Sequence, residues 1–257
     1  MGWDNTQYLK FKRERTQPAI DLAARLTVEN PTDIIDVGCG PGNSSRVLKD
    51  RYPNARVLGA DSSENMLQKA KADNPDIEFV MLDASGDICG YNNRFDAVFS
   101  NACLQWIPDH EKLLPRLFAL LKAGGALAVQ IPMNFEEPIH KILTELAEAE
   151  EWRGKLCIPR QFHTLTQEKY FDIISGLTHD FEMWQTTYCH RMPDHGAIME
   201  WYRATGMRPY LEALSERDAA EFERQVRERV AKEYAVRKNG EIIFRFPRFF
   251  FVAKKSM

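Results

Sequence analysis

The 257-residue sequence is poor in cysteine, carries no large excess of either charge and has no apolar run long enough to span a membrane. Cys39, Cys89, Cys103, Cys157 and Cys189 are odd in number and form no Cys-x-x-Cys pair, which argues against a disulfide framework and a zinc ribbon. Each reads as a small buried apolar residue. A formal charge of −3 lacks the basic excess of a nucleic-acid binder. The one basic cluster, Lys10-Phe11-Lys12-Arg13-Glu14-Arg15, is interrupted by an acid, and reads equally as a solvated helix face or a contact for a small anion. No Gly-Lys-Ser or Gly-Lys-Thr is present to make a Walker-type phosphate loop. Neither a Ser-His-Asp set, a paired-carboxylate set nor a metal-binding cluster is evident, so no metal partner is expected. Met1 to Asn5 do not open an apolar signal core, and a cytoplasmic location is the expectation.

Against these absences stands Ile34-Ile35-Asp36-Val37-Gly38-Cys39-Gly40-Pro41-Gly42-Asn43-Ser44-Ser45. An apolar run ends in an acid and three alternate glycines, the pattern of a strand-to-helix turn whose backbone touches a ligand. Ser44 and Ser45 open the helix, whose free N–H groups face whatever lies over the turn.

From Asp33 to Pro132 short apolar runs alternate with helical patterns. Strands are expected at 34–37, 56–61, 77–82, 95–101 and 126–131, the last after a Lys122–Gly125 turn, with helices at 44–51 and 62–72. This alternation predicts an α/β fold with a doubly wound, mostly parallel sheet. Such sheets bind ligands beyond the carboxyl ends of their strands. Asp36, Asp61, Asp83 and Asn101 all lie at or near such ends. A carboxylate at Asp61 suits a ribose diol, and one at Asp83 suits an adenine amino group, with the Ala84 N–H beside a ring nitrogen. Beyond Pro132, helices are expected at 136–151, 167–175 and over most of 194–234, with strands at 181–190 and 242–252. Pro247 predicts a bulge or break in the last of these.

Asp36-Val37-Gly38-Cys39-Gly40-Pro41-Gly42 with Asp61 and Asp83 at these spacings resembles the class I S-adenosylmethionine-dependent methyltransferases over roughly residues 30–132. The resemblance implies a seven-stranded, Rossmann-like sheet with an antiparallel last strand. It implies one domain over 1–257, with a cofactor core at 30–132, a helical lid and substrate lobe at 1–29 and 133–240, and a terminal strand at 241–253. S-adenosylmethionine is the implied cofactor, held by Asp36, Gly38, Gly40, Asp61, Ser62, Met66, Asp83, Ala84, Asn101 and Gln105.

Further stretches are similar to the trans-aconitate 2-methyltransferase family, among them Trp3 to Phe11, Ser100 to His110, Ala128 to Pro132, Trp184 to Pro193, Ala204 to Pro209 and Phe246-Pro247-Arg248. This similarity implies transfer of a methyl group to one carboxylate of a small tricarboxylate. A carboxylate is already ionised near neutral pH, so the reaction needs alignment and no general base. No catalytic acid or base is therefore expected, with Asn101 and Trp106 near the reacting centre. Cations should clamp the non-reacting carboxylates. The candidates are Arg13, Arg15, Arg203, Arg208 and Arg248, with Tyr8, Trp106, Tyr188 and His190 as neutral walls or donors. Arg208, between Gly206-Met207 and Pro209, reads as a turn residue; His110 and His195 read as helix-start residues. Alternatives of other kinds are a carboxyl methyltransferase acting on a carrier-bound malonyl group, an NAD-dependent oxidoreductase, disfavoured by Asn43, and a non-catalytic cofactor binder.

Overall fold

Ile34, Ile35 and Val37 present apolar surface to both sides of their strand, and β1 (Asp33–Val37) is buried on both faces. In the computed structural model, which describes residues 12–156, 162–203 and 205–257, β1 is followed by α2 (Asn43–Arg51), β2 (Arg56–Asp61), α3 (Glu64–Asp73), β3 (Glu78–Met81) and β4 (Phe95–Asn101). Helix α1 (Lys12–Arg25) precedes them, burying Ala19, Leu22 and Ala23 along one side. After a short 3₁₀ turn at Leu104–Trp106 come α4 (His110–Ala119), β5 (Leu121–Pro132), α5 (Pro138–Glu148) and the single turn α6 (Glu150–Arg153). The rest of the chain forms α7 (Gln167–Ser175), β6 (Phe181–Met192), α8 (His195–Arg203), α9 (Arg208–Ala213), α10 (Glu216–Glu233) and β7 (Ile242–Lys254).

The sheet has seven strands in the order β3-β2-β1-β4-β5-β7-β6. Pairings β3–β2, β2–β1, β1–β4 and β4–β5 are parallel, and β5–β7 is antiparallel. The strand order reverses between β1 and β4, so the glycine turn after β1 stands at the switch point. This is the expected doubly wound sheet with its antiparallel last strand.

Two compact units divide the chain. Among the described residues one comprises 15–132, 162–186 and 248–257; the other 12–14, 133–156, 187–203 and 205–247. Residues 15–29 and 162–186 cluster with 30–132. The second unit has its own core, in which Ile139, Leu143, Trp152, Trp201, Phe222 and Phe244 pack together. Two of its buried polar groups are paired: Asn134 Nδ2 donates to the Tyr202 hydroxyl at 2.9 Å, and Trp152 Nε1 to Gln225 at 3.1 Å.

Several local expectations are corrected. The Lys122–Gly125 turn is absorbed into β5 as a bulge: Phe95 pairs Leu121, but Ala97 pairs Ala126. Strand β7 continues through Pro247, whose missing N–H falls outside the β5 ladder of Arg248–Lys254. The helical stretch after Asp194 is three helices, interrupted near Gly206 and Leu214. Cys39 is buried as expected, but Cys89 and Cys189 are exposed.

Candidate active site

The glycine turn is built by backbone contacts that leave its outer side open. Gly38 N and Cys39 N both donate to Ala60 O, at 2.7 and 3.0 Å, and Gly42 N closes the turn on Cys39 O at 3.0 Å. Gly38, Gly40 and Gly42 have φ of +74°, +53° and +87°. Their requirements differ. A Cβ on Gly38 would lie 2.0 Å from Cys103 Sγ, whereas one on Gly40 would meet nothing within 4 Å among the described residues. Gly38 is therefore a packing glycine, and Gly40 borders open space.

Beneath the turn, Asp36 is fully buried and accepts from Ser44 and Ser45 hydroxyls, both at 2.7 Å. Burial pushes its pKa up to about 6 against the opposing effect of the two hydroxyls. Asp36 has no exposed surface. It ties the glycine turn to the start of α2. Ser100, also buried, donates to Val37 O at 2.9 Å and ties β4 to the same place.

Asp61 spans the turn. Its two carboxylate oxygens accept from Gly40 N and Ser63 N, each at 2.9 Å. A carboxylate offers about four lone-pair sites, so acceptor capacity remains for a diol. Ser62 is exposed beside it and Met66 is half-buried on α3. Asp83 is exposed beyond β3 and accepts from the Ser85 hydroxyl and N–H through one oxygen, at 2.7 and 2.8 Å. Those bonds, the hydroxyl first, hold its carboxyl below the usual range. Arg116, which the sequence reading missed, reaches from α4 to the carbonyls of Ala84, Ser85 and Gly86 at 2.6–3.2 Å. It fixes the loop that carries Asp83 and the buried Ala84.

At the end of β4, Asn101 leads into Ala102, a non-glycine residue with φ of +54°. Gln105 is buried and donates to Ala102 O at 2.7 Å. Asn101 Oδ1 and Gln105 Oε1 are buried without a hydrogen-bond partner among the described residues. Trp106 is half-buried, with its ring 4.6 Å from Phe162. His110 does start a helix, but it is buried: Nδ1 meets the Tyr170 hydroxyl at 2.7 Å and Nε2 meets Leu104 O at 2.8 Å. Burial lowers its pKa, which suits a neutral ring donating from Nε2 and accepting at Nδ1.

The proposed substrate residues divide between the units. In the sheet unit, Arg15 is half-buried on α1, and Arg248 is 5% exposed with Nη1 3.1 Å from Gln130 Oε1. In the other unit, Arg208 is not a turn residue: it opens α9 and pairs with Glu212 at 2.8 Å. Arg203 pairs with Glu223 on the surface. His190 is buried among the rings of Trp201, Phe244, Phe246 and Tyr188. His195 opens α8 and meets Tyr234 O at 2.8 Å. Tyr8 and the side chain of Arg13 lie outside the described residues. The structure thus brings Gly38, Gly40 and Asp61 together at one turn, with Asp36 beneath it. Among the described residues no group of three or more His, Cys, Asp or Glu could hold a metal, and no helix is long and apolar enough to cross a membrane.

A parallel sheet with an antiparallel β7, a glycine turn at its switch point and acids at successive strand ends define a class I S-adenosylmethionine-dependent methyltransferase. The residues fit that cofactor: Gly40 faces open space, and two buried side-chain oxygens await donors at the end of β4. A family model described as a methyltransferase domain matches residues 34–125. Fold similarity extends to the YcgJ protein of Bacillus subtilis, with a TM-score of 0.63 and 13% identity, covering 94% of this chain and 99% of that one. Trans-aconitate 2-methyltransferase of Enterobacter sp. (strain 638) is 39% identical over 255 residues, covering 99% of this chain and 98% of its own. The enzyme of that name from Azoarcus sp. (strain BH72) is 41% identical over 252 residues, covering 98% of each. The chain belongs to the trans-aconitate 2-methyltransferase family.

Proposed function

We propose that the protein methylates one carboxylate of trans-aconitate, forming a monomethyl ester. The observation that carries this reading is that identity of about 40% to relatives of that name runs through both units, not only the cofactor-binding turn. S-adenosylmethionine, when bound, supplies an electrophilic methyl group on a sulfonium. The chain's own residues supply position. Gly40 lets the backbone approach while Gly38 packs the turn against Cys103, Asp61 accepts from the ribose diol, and Asp83 with the Ala84 N–H reads adenine; Ser62, Met66, Asn101 and Gln105 complete the lining. Arg15 and Arg248 bind the non-reacting carboxylates, and Trp106 borders the reacting one.

An ionised acceptor needs no proton removed, so holding donor and acceptor in line can supply about 7–11 kcal/mol of the barrier. Tight ion pairing at the reacting carboxylate would stabilise the ground state more than the less charged transition state. The cations therefore act best on the other carboxylates. A small acid as substrate and a cytoplasmic site of action complete the reading. The test is turnover of purified protein with S-adenosylmethionine and trans-aconitate, following S-adenosylhomocysteine and the methyl ester by mass spectrometry. Formation of the monoester is expected; no ester from trans-aconitate would overturn the substrate.

A further inference from the structure

Gln130 is fully buried near the carboxyl end of β5, flanked by the apolar Val129 and Ile131. A leucine or methionine would fill such a position without burying an amide. Its surroundings show what the amide does. The register pairs Gln130 with Asn101 on one side and Phe250 on the other. Directly paired residues share a sheet face, and Arg248 lies two residues from Phe250, so Asn101, Gln130 and Arg248 occupy one face. The Gln130 carbonyl accepts from Ala102 N at 3.0 Å, holding the turn that follows Asn101. Its side-chain Oε1 accepts from Arg248 Nη1 at 3.1 Å.

The orientation of the amide follows from donor chemistry. A guanidinium offers only donors, so Oε1 alone can face it. Nε2 is thereby turned elsewhere and is buried without an acceptor among the described residues. Keeping an amide under that penalty points to a function for the Arg248 bond. The neutrality of the partner matters as well. A glutamate at 130 would orient Arg248 equally well while cancelling its charge, whereas glutamine orients it and withdraws none.

We propose that Gln130 is a positioning and specificity-determining residue that aims the Arg248 guanidinium at a non-reacting carboxylate of a polycarboxylate substrate. The inference rests on the reading of Arg248 as a substrate cation and adds the residue that directs it. Through its carbonyl, the same residue joins that cation to the Asn101–Ala102 turn. Substrate charge recognition and the end of β4 are thus set by one position in the sheet.

The test compares Gln130→Glu and Gln130→Met with wild type. Gln130→Glu should raise the KM for trans-aconitate at least tenfold, because the new carboxylate competes with the substrate for Arg248; Gln130→Met should raise it about threefold to tenfold, the loss of one charge-assisted bond. For both, kcat should stay within about threefold of wild type, and S-adenosylhomocysteine affinity by calorimetry within about twofold. Calorimetry of trans-aconitate binding to the S-adenosylhomocysteine complex should show the same weakening without turnover. In an Arg248→Ala background, Gln130→Met should add nothing further. Unchanged KM in both variants, equal loss of cofactor and tricarboxylate affinity, or additive effects with Arg248→Ala would each overturn the proposal. Absence of wild-type activity and binding with trans-aconitate would instead overturn the substrate reading itself. If Gln130→Glu does not fold, Gln130→Met and the double variant decide the matter.

Discussion

Gly38→Ala and Gly40→Ala separate two reasons for a glycine at a ligand-binding turn. Both residues have positive φ, so alanine at either incurs left-handed strain of about 1–2 kcal/mol. Alanine also loses less entropy on folding than glycine, which offsets about 0.4–1 kcal/mol. At Gly40 these nearly cancel, because the added methyl meets nothing within 4 Å among the described residues. At Gly38 the methyl would sit 2.0 Å from Cys103 Sγ and 2.3 Å from Cys103 Cβ. Cβ belongs to the rigid part of the side chain, so relief requires movement of the turn after β4, an overpacking cost of about 1–3 kcal/mol. The net expectation for Gly38→Ala is a loss of about 2–4 kcal/mol, which for a chain of this size lowers Tm by roughly 5–15 °C. Gly40→Ala should melt within about 3 °C of wild type.

Ligand binding should separate the variants in the opposite sense. If the open space at Gly40 is where S-adenosylmethionine approaches the backbone, a methyl there should weaken S-adenosylhomocysteine at least tenfold in calorimetry, about 1.4 kcal/mol. Thermal scans and titrations on the same preparations test both halves. Wild-type affinity in Gly40→Ala would show that the space is not the cofactor's. Wild-type melting of Gly38→Ala would show that the Cys103 contact is yielding, and the division between packing and approach would fail.

The remaining expectations concern buried and bridging polar groups. Raising the Asp36 pKa from 3.8 to about 6 means the folded chain holds a proton that the unfolded chain has released, so this contribution falls as pH rises between about 4 and 6 and costs about 3 kcal/mol at pH 7. Asp36→Asn keeps an oxygen for Ser44 and Ser45, and urea denaturation across pH 4–7 should show that slope removed; an unchanged slope would assign it to other groups. Asp61→Ala should weaken S-adenosylhomocysteine at least tenfold, having lost the acceptor of Gly40 N and Ser63 N as well as any bond to ribose; calorimetry at wild-type affinity would remove Asp61 from the site. Arg116→Met should weaken the same ligand about threefold to tenfold by freeing the carbonyls of the Ala84–Gly86 loop, with a smaller effect on melting; unaltered binding would make that loop irrelevant to adenine.

How much was legible in the sequence depended on whether the cause was local. Positive φ is written directly into glycine, and continuous apolar runs mark strands buried on both faces, so the turn at Gly38–Gly42 and strands β1, β2 and β4 stood close to their expected places. The Lys122–Gly125 stretch misled because glycines that serve a bulge look like glycines that serve a turn. Arg208 misled for a related reason: set between Gly206-Met207 and Pro209 it has the flanks of a turn residue, but proline also fits the first turn of a helix, where its missing N–H costs nothing. Partnerships across long separations were the least accessible. Gln130 meets Arg248 from 118 residues away, and His110 meets Tyr170 from 60. Gln130 did leave a trace, a lone amide in an apolar run, but only the register of three strands gives that trace a meaning.

His110 shows how structure can argue against a base as well as for one. A histidine near the end of β4 is placed where a proton acceptor would be sought in a transferase. Yet both ring nitrogens are engaged, one at the Leu104 carbonyl and one at the Tyr170 hydroxyl, and burial disfavours the charged ring. Protonating Nδ1 would turn the acceptor of the Tyr170 hydroxyl into a donor and leave that hydroxyl to find another acceptor, while burial opposes the charge. The arrangement pins the Leu104–Trp106 turn, next to which His163 N donates to Gln105 O at 2.9 Å. A histidine locked in this way is of little use for abstracting protons and well suited to holding a turn still. Methyl transfer to an already ionised carboxylate asks for that rigidity and for no base, so the chemistry proposed and the tautomer required by the hydrogen bonds agree without having been derived from one another.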